Sequence, residues 1–331
     1  MSVLIIAEIG SVHDGSLGNA LKLVEAAAEC GVDAVKFQTH IPEAETIPDA
    51  PAPPYFKGEP RFEYFQRTGF TLQQWRQIKD HCDEHGVMFL SSPFSDEAVD
   101  LLEEINMTHY KIPSGEVTNL PMLDKIGRLQ KPVFLSSGMN SWQELDTAVE
   151  TIRIHHNQLV VLQCTSEYPC PYDKVGLNIL DEMRARYKCE VGLSDHTLTT
   201  YAVFAAVTLG ATVIEKHFTF SRKMYGSDAK HSLEPSEMTD LVQGIRAIEQ
   251  MLANPVNKND LAPYHHMKDI FQKSLVAAQT IPAGTFLDEK LIAIKKPGTG
   301  IPAAHLKEIL GKKTLRDIPK DTLLSLDDLS D

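Results

Sequence analysis

The stretch VIEKHFTF, residues 213–220, opens like a strand buried on both faces and then turns ionisable. Val213 and Ile214 suit a sheet covered on both sides. Glu215, Lys216 and His217 follow without a break. Side chains alternate along a strand, so Glu215 and His217 share one face and Lys216 points the other way. Acids and imidazoles at the end of an apolar run fit the carboxyl end of a parallel strand, where α/β barrels keep their chemistry.

Similar runs recur upstream: VLIIAEIG (3–10), DAVKFQTH (33–40), VMFLSSP (87–93), HYKIPSG (109–115), PVFLSSGM (132–139), LVVLQCTS (159–166) and CEVGLSDH (189–196). With TVIEKHF (212–218) they make eight. Segments such as LGNALKLVEAAAEC, SDEAVDLLEEI, SWQELDTAVETI and TYAVFAAVTLG lie between them, with apolar residues three and four apart, the helical period. Strands alternating with helices imply a parallel sheet. Eight units in roughly 250 residues predict a closed (β/α)8 TIM barrel over residues 1–252. An open doubly wound sheet would call for GxGxxG after the first strand, and GSVHDGSLG (10–18) does not supply it. Residues 41–71, rich in proline, read as an extended functional loop after the second run. Residues 253–272 read as a linker. Residues 273–331, with strand-like runs between tight Pro/Gly turns, read as a small, mainly β domain.

The chain has 331 residues and a formal net charge of −13. That charge argues against nucleic acid as a partner. No apolar run reaches membrane-spanning length, and the first residues, MSVLIIAEIG, lack the basic start of a signal peptide. Five scattered cysteines without a CxxC read as reduced thiols of a cytoplasmic protein.

The runs end in Glu8, Lys36, Gln38, Ser91, Ser92, Lys111, Ser114, Glu116, Ser136, Ser137, Gln163, Thr165, Ser166, Ser194, His196, Glu215 and His217. Purely structural strand ends would carry turn residues instead. Ser194 and His196 share a face, as Glu215 and His217 do, on strands expected to be neighbours. Two such imidazoles can hold one divalent metal, or they can simply hydrogen-bond. Lys36 and Lys111, with the serines near them, suit a phosphate or carboxylate. The residues by themselves point to metal-assisted chemistry on an anionic substrate.

These motifs, AEIGSVHDGS, DAVKFQT, KIPSGEVTNLP, LSSGM, QCTSEYP, GLSDHT, VIEKHFT, GSD and SLEP, resemble the N-acetylneuraminate (sialic acid) synthase family, legionaminate and pseudaminate synthases included. The tail, with SLVAAQTIPAGT and KKPGTGI, resembles the antifreeze-like (SAF) domain fused to such barrels. The resemblance implies condensation of phosphoenolpyruvate with an open-chain acylamino sugar, N-acetylmannosamine or a diacetamido-6-deoxyhexose, to a nine-carbon 2-keto acid. Phosphate leaves by C–O cleavage. It implies His196 and His217 as ligands of Mn2+ or Mg2+. Lys36, Lys111, Ser114, Ser136 or Ser137, and Ser194 would cradle phosphoenolpyruvate. Glu116 would handle the attacking water, Glu8 would sit by the reacting carbonyl, and Glu215 would belong to the substrate site. Gln38, Tyr168 and Asp228 would contact the sugar.

The family also implies a domain-swapped homodimer in which Lys296 of one copy reaches the sugar held by the other. Three positions depart from the family pattern: Ala229 follows Asp228, Ser166 stands where Asn is frequent, and Lys296 stands where Arg is frequent. All three bear on the sugar. The competing readings are another phosphoenolpyruvate-condensing 3-deoxy-keto-acid synthase, a metal-dependent sugar isomerase or aldolase, and an inert barrel that only binds.

Overall fold

A computed structural model describes residues 2–51 and 59–330. The chain divides into two units, Met1–Asn254 and Pro255–Asp331. In the first unit, eight parallel strands close into a barrel in sequence order: β1 (Leu4–Gly10), β2 (Ala34–Thr39), β3 (Met88–Pro93), β4 (Tyr110–Ile112), β5 (Val133–Ser136), β6 (Leu159–Cys164), β7 (Glu190–Asp195) and β8 (Val213–His217). Closure is direct. Glu8 of β1 pairs with Lys36 of β2 on one side and with His217 of β8 on the other.

A long helix returns the chain after each strand: α1 (Leu17–Glu29), α4 (Leu72–Glu84), α5 (Asp96–Glu104), α6 (Leu120–Arg128), α7 (Trp142–Arg153), α8 (Ile179–Tyr187), α9 (Tyr201–Thr208) and α10 (Pro235–Ala253). Local chemistry starts them. The Ser16 hydroxyl accepts from the Asn19 amide, and Thr71–Gln74 and Ser141–Glu144 form reciprocal capping boxes. Outward strand residues such as Ile5, Ala7, Val35 and Phe37 pack under these helices in the main core. Inward ones, Ile6, Ala34, Leu90, Phe134, Leu162 and Val213, form a separate cluster that plugs the barrel.

The segment expected as an extended loop over residues 41–71 is partly helical. It holds α2 (Pro42–Glu45) and α3 (Arg61–Thr68), and residues 52–58 of that expectation lie outside the described residues. Pro42 at the first helical position and the Pro60 cap, whose φ and ψ already suit a helix entry, start these short helices.

The second unit contains α11 (His265–Phe271), an antiparallel pair β9 (Ser274–Ala277) and β10 (Ile292–Lys295), and α12 (Leu306–Ile309). Isolated bridges such as Ile281–Ile318 and Thr314–Leu329 tie its turns together. Leu275, Ile281, Ile309, Ile318 and Leu324 form its own small core.

Candidate active site

The site follows from strand parity. Ile6, Ala34, Leu90, Phe134 and Val213 point into the barrel, so two residues further on Glu8, Lys36, Ser92, Ser136 and Glu215 do the same. An ionisable layer therefore lies directly on the apolar plug. The carboxylate of Glu8 is 2.9 Å from the Lys36 ammonium. Lys36 is 3.7 Å from Glu215, and Lys111 is 3.4 Å from the other oxygen of Glu215. The Ser194 hydroxyl donates to Glu215 at 2.9 Å, and the Gln38 amide donates to Glu8 at 2.7 Å. All of these groups except Gln38 are buried.

Two acids and two bases in one dry layer set one another's charge. Burial alone would raise Glu215, but Lys111 and Lys36 together outweigh it and bring it down to about 2. Burial lifts Glu8 in spite of Lys36 beside it. Burial alone would lower Lys36, and Glu215 with Glu8 reverses that. Lys111, with Glu215 as its one ion-pair partner among the described residues, is lowered by burial.

On the other face, Lys216 meets Asp195, and its ammonium also donates to the carbonyls of Thr197 and Thr199. The outward residues thus fasten the β7–α9 loop, and the inward ones form the ionisable layer. His196 and His217 stand above the ionisable layer with ring centroids 5.5 Å apart. No hydrogen bond joins the two rings among the described residues. His196 Nδ1 donates to the Thr165 carbonyl at 2.8 Å, which leaves Nε2 with a free lone pair. Burial pushes His196 down to about 3, so the ring is neutral. His217 Nδ1 is buried with no hydrogen-bond partner among the described residues. Two imidazole nitrogen donors at this spacing fit one divalent ion at roughly 2 Å from each. Tyr168 stacks on His196 at 4.1 Å and meets His217 edge-on at 6.0 Å.

The mouth opens into a cavity of about 600 Å3, whose lining includes Gln38, Ser114, Glu116, Tyr168, His217 and Asp228. Two glycines make room there. Gly138 has φ +42°, and a Cβ on it would lie 2.0 Å from that of Ser114. Gly10 has φ +54°, and a Cβ there would lie 2.4 Å from the Asp228 carboxylate. Ser114 and Ser166 hydroxyls pair at 3.1 Å beside Gly138. Burial raises Glu116, which accepts from the Asn119 amide at 3.0 Å. Ser137 is committed to the fold: its hydroxyl donates to Gln163 and accepts from the Cys164 amide, each at 3.1 Å. Ser136 Oγ is buried with no partner among the described residues.

The candidate substrate and metal contacts of the barrel, Ser137 excepted, thus fall in the ionisable layer, beside it, or in the cavity above it. Lys296 lies in the second unit, exposed, with its ammonium 4.7 Å over the Phe271 ring. Four ionisable lining residues were absent from the sequence-derived candidates. His40 is stacked between Phe65 and Phe94, at 3.7 and 4.1 Å, and bonds Glu45 and Gln38. Glu45 and Arg61 come from α2 and α3. His231 is buried with neither ring nitrogen bonded among the described residues. His40, which ends the DAVKFQTH run, and His231, three residues after Asp228, had a signal in the sequence.

The NeuB family profile matches residues 23–257, and a SAF domain profile matches residues 272–330. The chain is 37% identical over 329 residues to an N,N'-diacetyllegionaminic acid synthase of Campylobacter jejuni, covering 97% of this chain and 98% of that one. It is 33% identical over 324 residues to the human N-acetylneuraminate-9-phosphate synthase, covering 96% and 90%. A crystal structure of an N-acetylneuraminic acid (sialic acid) synthetase from Leptospira borgpetersenii superimposes with a TM-score of 0.72 at 27% identity, over 81% of this chain and 90% of that one.

Proposed function

The chain belongs to the NeuB family of nonulosonic acid synthases and carries a SAF domain; from that premise we propose that it condenses phosphoenolpyruvate with an open-chain diacetamido hexose to a nine-carbon 2-keto acid. The observation that carries this reading is the pair of buried ammonium groups, Lys36 and Lys111, beneath a polar cavity. A phosphate ester in a dry site needs such cations, and Lys111 keeps donors to spare. The polar wall of Gln38, Tyr168 and Asp228 suits sugar hydroxyls. Phe65 and Phe94 add an apolar edge for a second acyl methyl. The identity with the Campylobacter legionaminic acid synthase supports that choice of acceptor.

The steps balance without a further reagent. C3 of phosphoenolpyruvate bonds to the aldehyde carbon, and the carbonyl electron pair passes to the aldehyde oxygen, which takes a proton. Glu8 supplies it, a role that its lifting by burial supports. Water adds to C2 and gives a proton to Glu116. Phosphate leaves with the C2–O electron pair and takes the remaining proton of that water, so the carbonyl at C2 carries the water's oxygen. Ser136 and Ser114 hold phosphoenolpyruvate, while Ser194 keeps Glu215 in place between the lysines. His196 and His217 would hold Mn2+ or Mg2+, which polarises the aldehyde when bound. The substrate class fits a cytoplasmic enzyme, and the family resemblance supports a homodimer in which Lys296 of a second copy completes the sugar site.

The deciding assay measures phosphate release from phosphoenolpyruvate against a panel of acylamino hexoses in 18O-labelled water. The expected result is the highest kcat/KM with a diacetamido-6-deoxyhexose, and label at C2 of the product. A preference for N-acetylmannosamine would reassign the acceptor. Label in the phosphate, or no phosphate with any sugar, would refute the reaction.

A further inference from the structure

A second constellation of ligand-type residues lies far from the mouth. Helices α1 and α4 pack together on the outside of the barrel. Each runs back against the strands, so its last turn lies at the strands' amino ends, opposite His196 and His217. Three side chains meet there: Glu25 from α1, His81 from α4, and His85 just past the end of α4. His81 and His85 are four residues apart, which places both on one side of the helix. Their ring centroids are 4.5 Å apart. Glu25 Oε1 lies 3.2 Å from His81 Nε2. One donor atom from each of the three residues lies within 4.8 Å of the others.

The surroundings prepare this cluster as a ligand set. The other nitrogen of His81, Nδ1, is 3.5 Å from a Glu84 oxygen. A carboxylate behind a histidine fixes its tautomer and raises the basicity of the nitrogen in front. That nitrogen, Nε2, is the one that faces Glu25. On Glu25, Oε2 is bridged to the Lys22 ammonium at 2.6 Å, which lowers its pKa and leaves Oε1 turned to the histidines. His85 is exposed, so an ion has an open approach and room for a water. Two imidazoles and one carboxylate select zinc over magnesium or calcium, which take oxygen-rich shells.

We propose that Glu25, His81 and His85 form a zinc site that clamps α1 to α4, separate from the reaction at the barrel mouth. Its ligands come from two helices, so the ion binds the folded chain more tightly than the unfolded one, and it stabilises the fold by mass action. The competing reading is a plain hydrogen bond between His81 and Glu25 with His85 idle.

Diethyl pyrocarbonate labelling of the full-length chain separates the two. Zinc chloride alone is titrated, and each histidine is read from its own peptide by mass spectrometry, so His196 and His217 are scored apart from His81 and His85. The expected result is that zinc protects His81 and His85 together and raises Tm. In Glu84→Gln, the midpoint zinc concentration at His81 rises roughly ten- to hundred-fold. In His85→Ala, at an exposed position the fold does not depend on, it rises at least as much. Equal labelling of His81 with and without saturating zinc, or the same midpoint in wild type and His85→Ala, would overturn the site.

Discussion

Ser137 uses its hydroxyl on Gln163 and Cys164, while Ser136, one residue earlier, holds a buried hydroxyl that no described residue engages. Their alanine variants should therefore separate. Ser136→Ala is expected to raise the KM for phosphoenolpyruvate by roughly ten-fold or more, as loss of a hydrogen bond to a charged group does, with Tm unchanged. Ser137→Ala should cost about 1–3 kcal/mol in urea denaturation, because Gln163 and an amide are left unpaired in the interior. The reverse pattern would exchange the two assignments. His13 gives a pH test. Its Nδ1 accepts from the Gly15 amide, and burial holds it down to about 4. Between about 6.5 and 4 the unfolded chain binds that proton and the native chain does not, so stability is complete above 6.5 and falls below it. From pH 6.5 to 5 the loss is about 2 kcal/mol, and His13→Gln should remove that share of the slope in denaturation at both pH values. Strand parity made the inward faces of Lys36, Glu215 and His217 legible in the sequence. It set Ser136 and Ser137 on opposite faces without saying which faced inward, since the partners that decide it sit on a neighbouring strand.

Among the elements, β8 and the loop after β7 are fastened from outside by a fully buried lysine. Lys216 holds Asp195 and the carbonyls of Thr197 and Thr199, and His196 lies within that span. Lys216→Met would leave the Asp195 carboxylate buried without its ion-pair partner, held only by the Thr197 amide and hydroxyl. The expected cost is about 3–5 kcal/mol by denaturation, with part of it recovered in Lys216→Met/Asp195→Leu. A single variant as stable as wild type would show that the pair is not needed. The barrel was legible because its strands are near-continuous apolar runs. Helix α4 was harder to see: Trp75, Ile78 and Cys82 keep the helical spacing, yet polar residues crowd between them. The helices of residues 41–71 were missed for a different reason. In α3 only Tyr64, Phe65 and Thr68 are buried, too little to mark a period, and prolines at the starts of α2 and α3 read as breakers. Glu45 and Arg61 reach the cavity only because this segment folds, so their place could not be read from spacing.

For the molecule as a whole, the two units each have a core, and the candidate sugar contact Lys296 belongs to the second. If the active site is shared between copies, a chain carrying His217→Ala and a chain carrying Lys296→Ala should regain some activity when dissociated, mixed and reassociated, because a mixed dimer holds one intact site. Proven mixed dimers without recovery would place Lys296 in its own chain's site. The buried layer adds a consequence for how the whole chain takes up its substrate. Glu8, Lys36, Lys111 and Glu215 amount to two acids against two bases, within a chain of net charge −13. If phosphoenolpyruvate binds there as proposed, its charge should make the local sum negative, and Glu8, already lifted by burial, is the group expected to answer by taking a proton. Loading the enzyme is then also a withdrawal of protons from solution. Titration calorimetry of phosphoenolpyruvate in buffers of differing ionisation enthalpy should give heats that rise linearly with that enthalpy, with a positive slope that Glu8→Gln flattens.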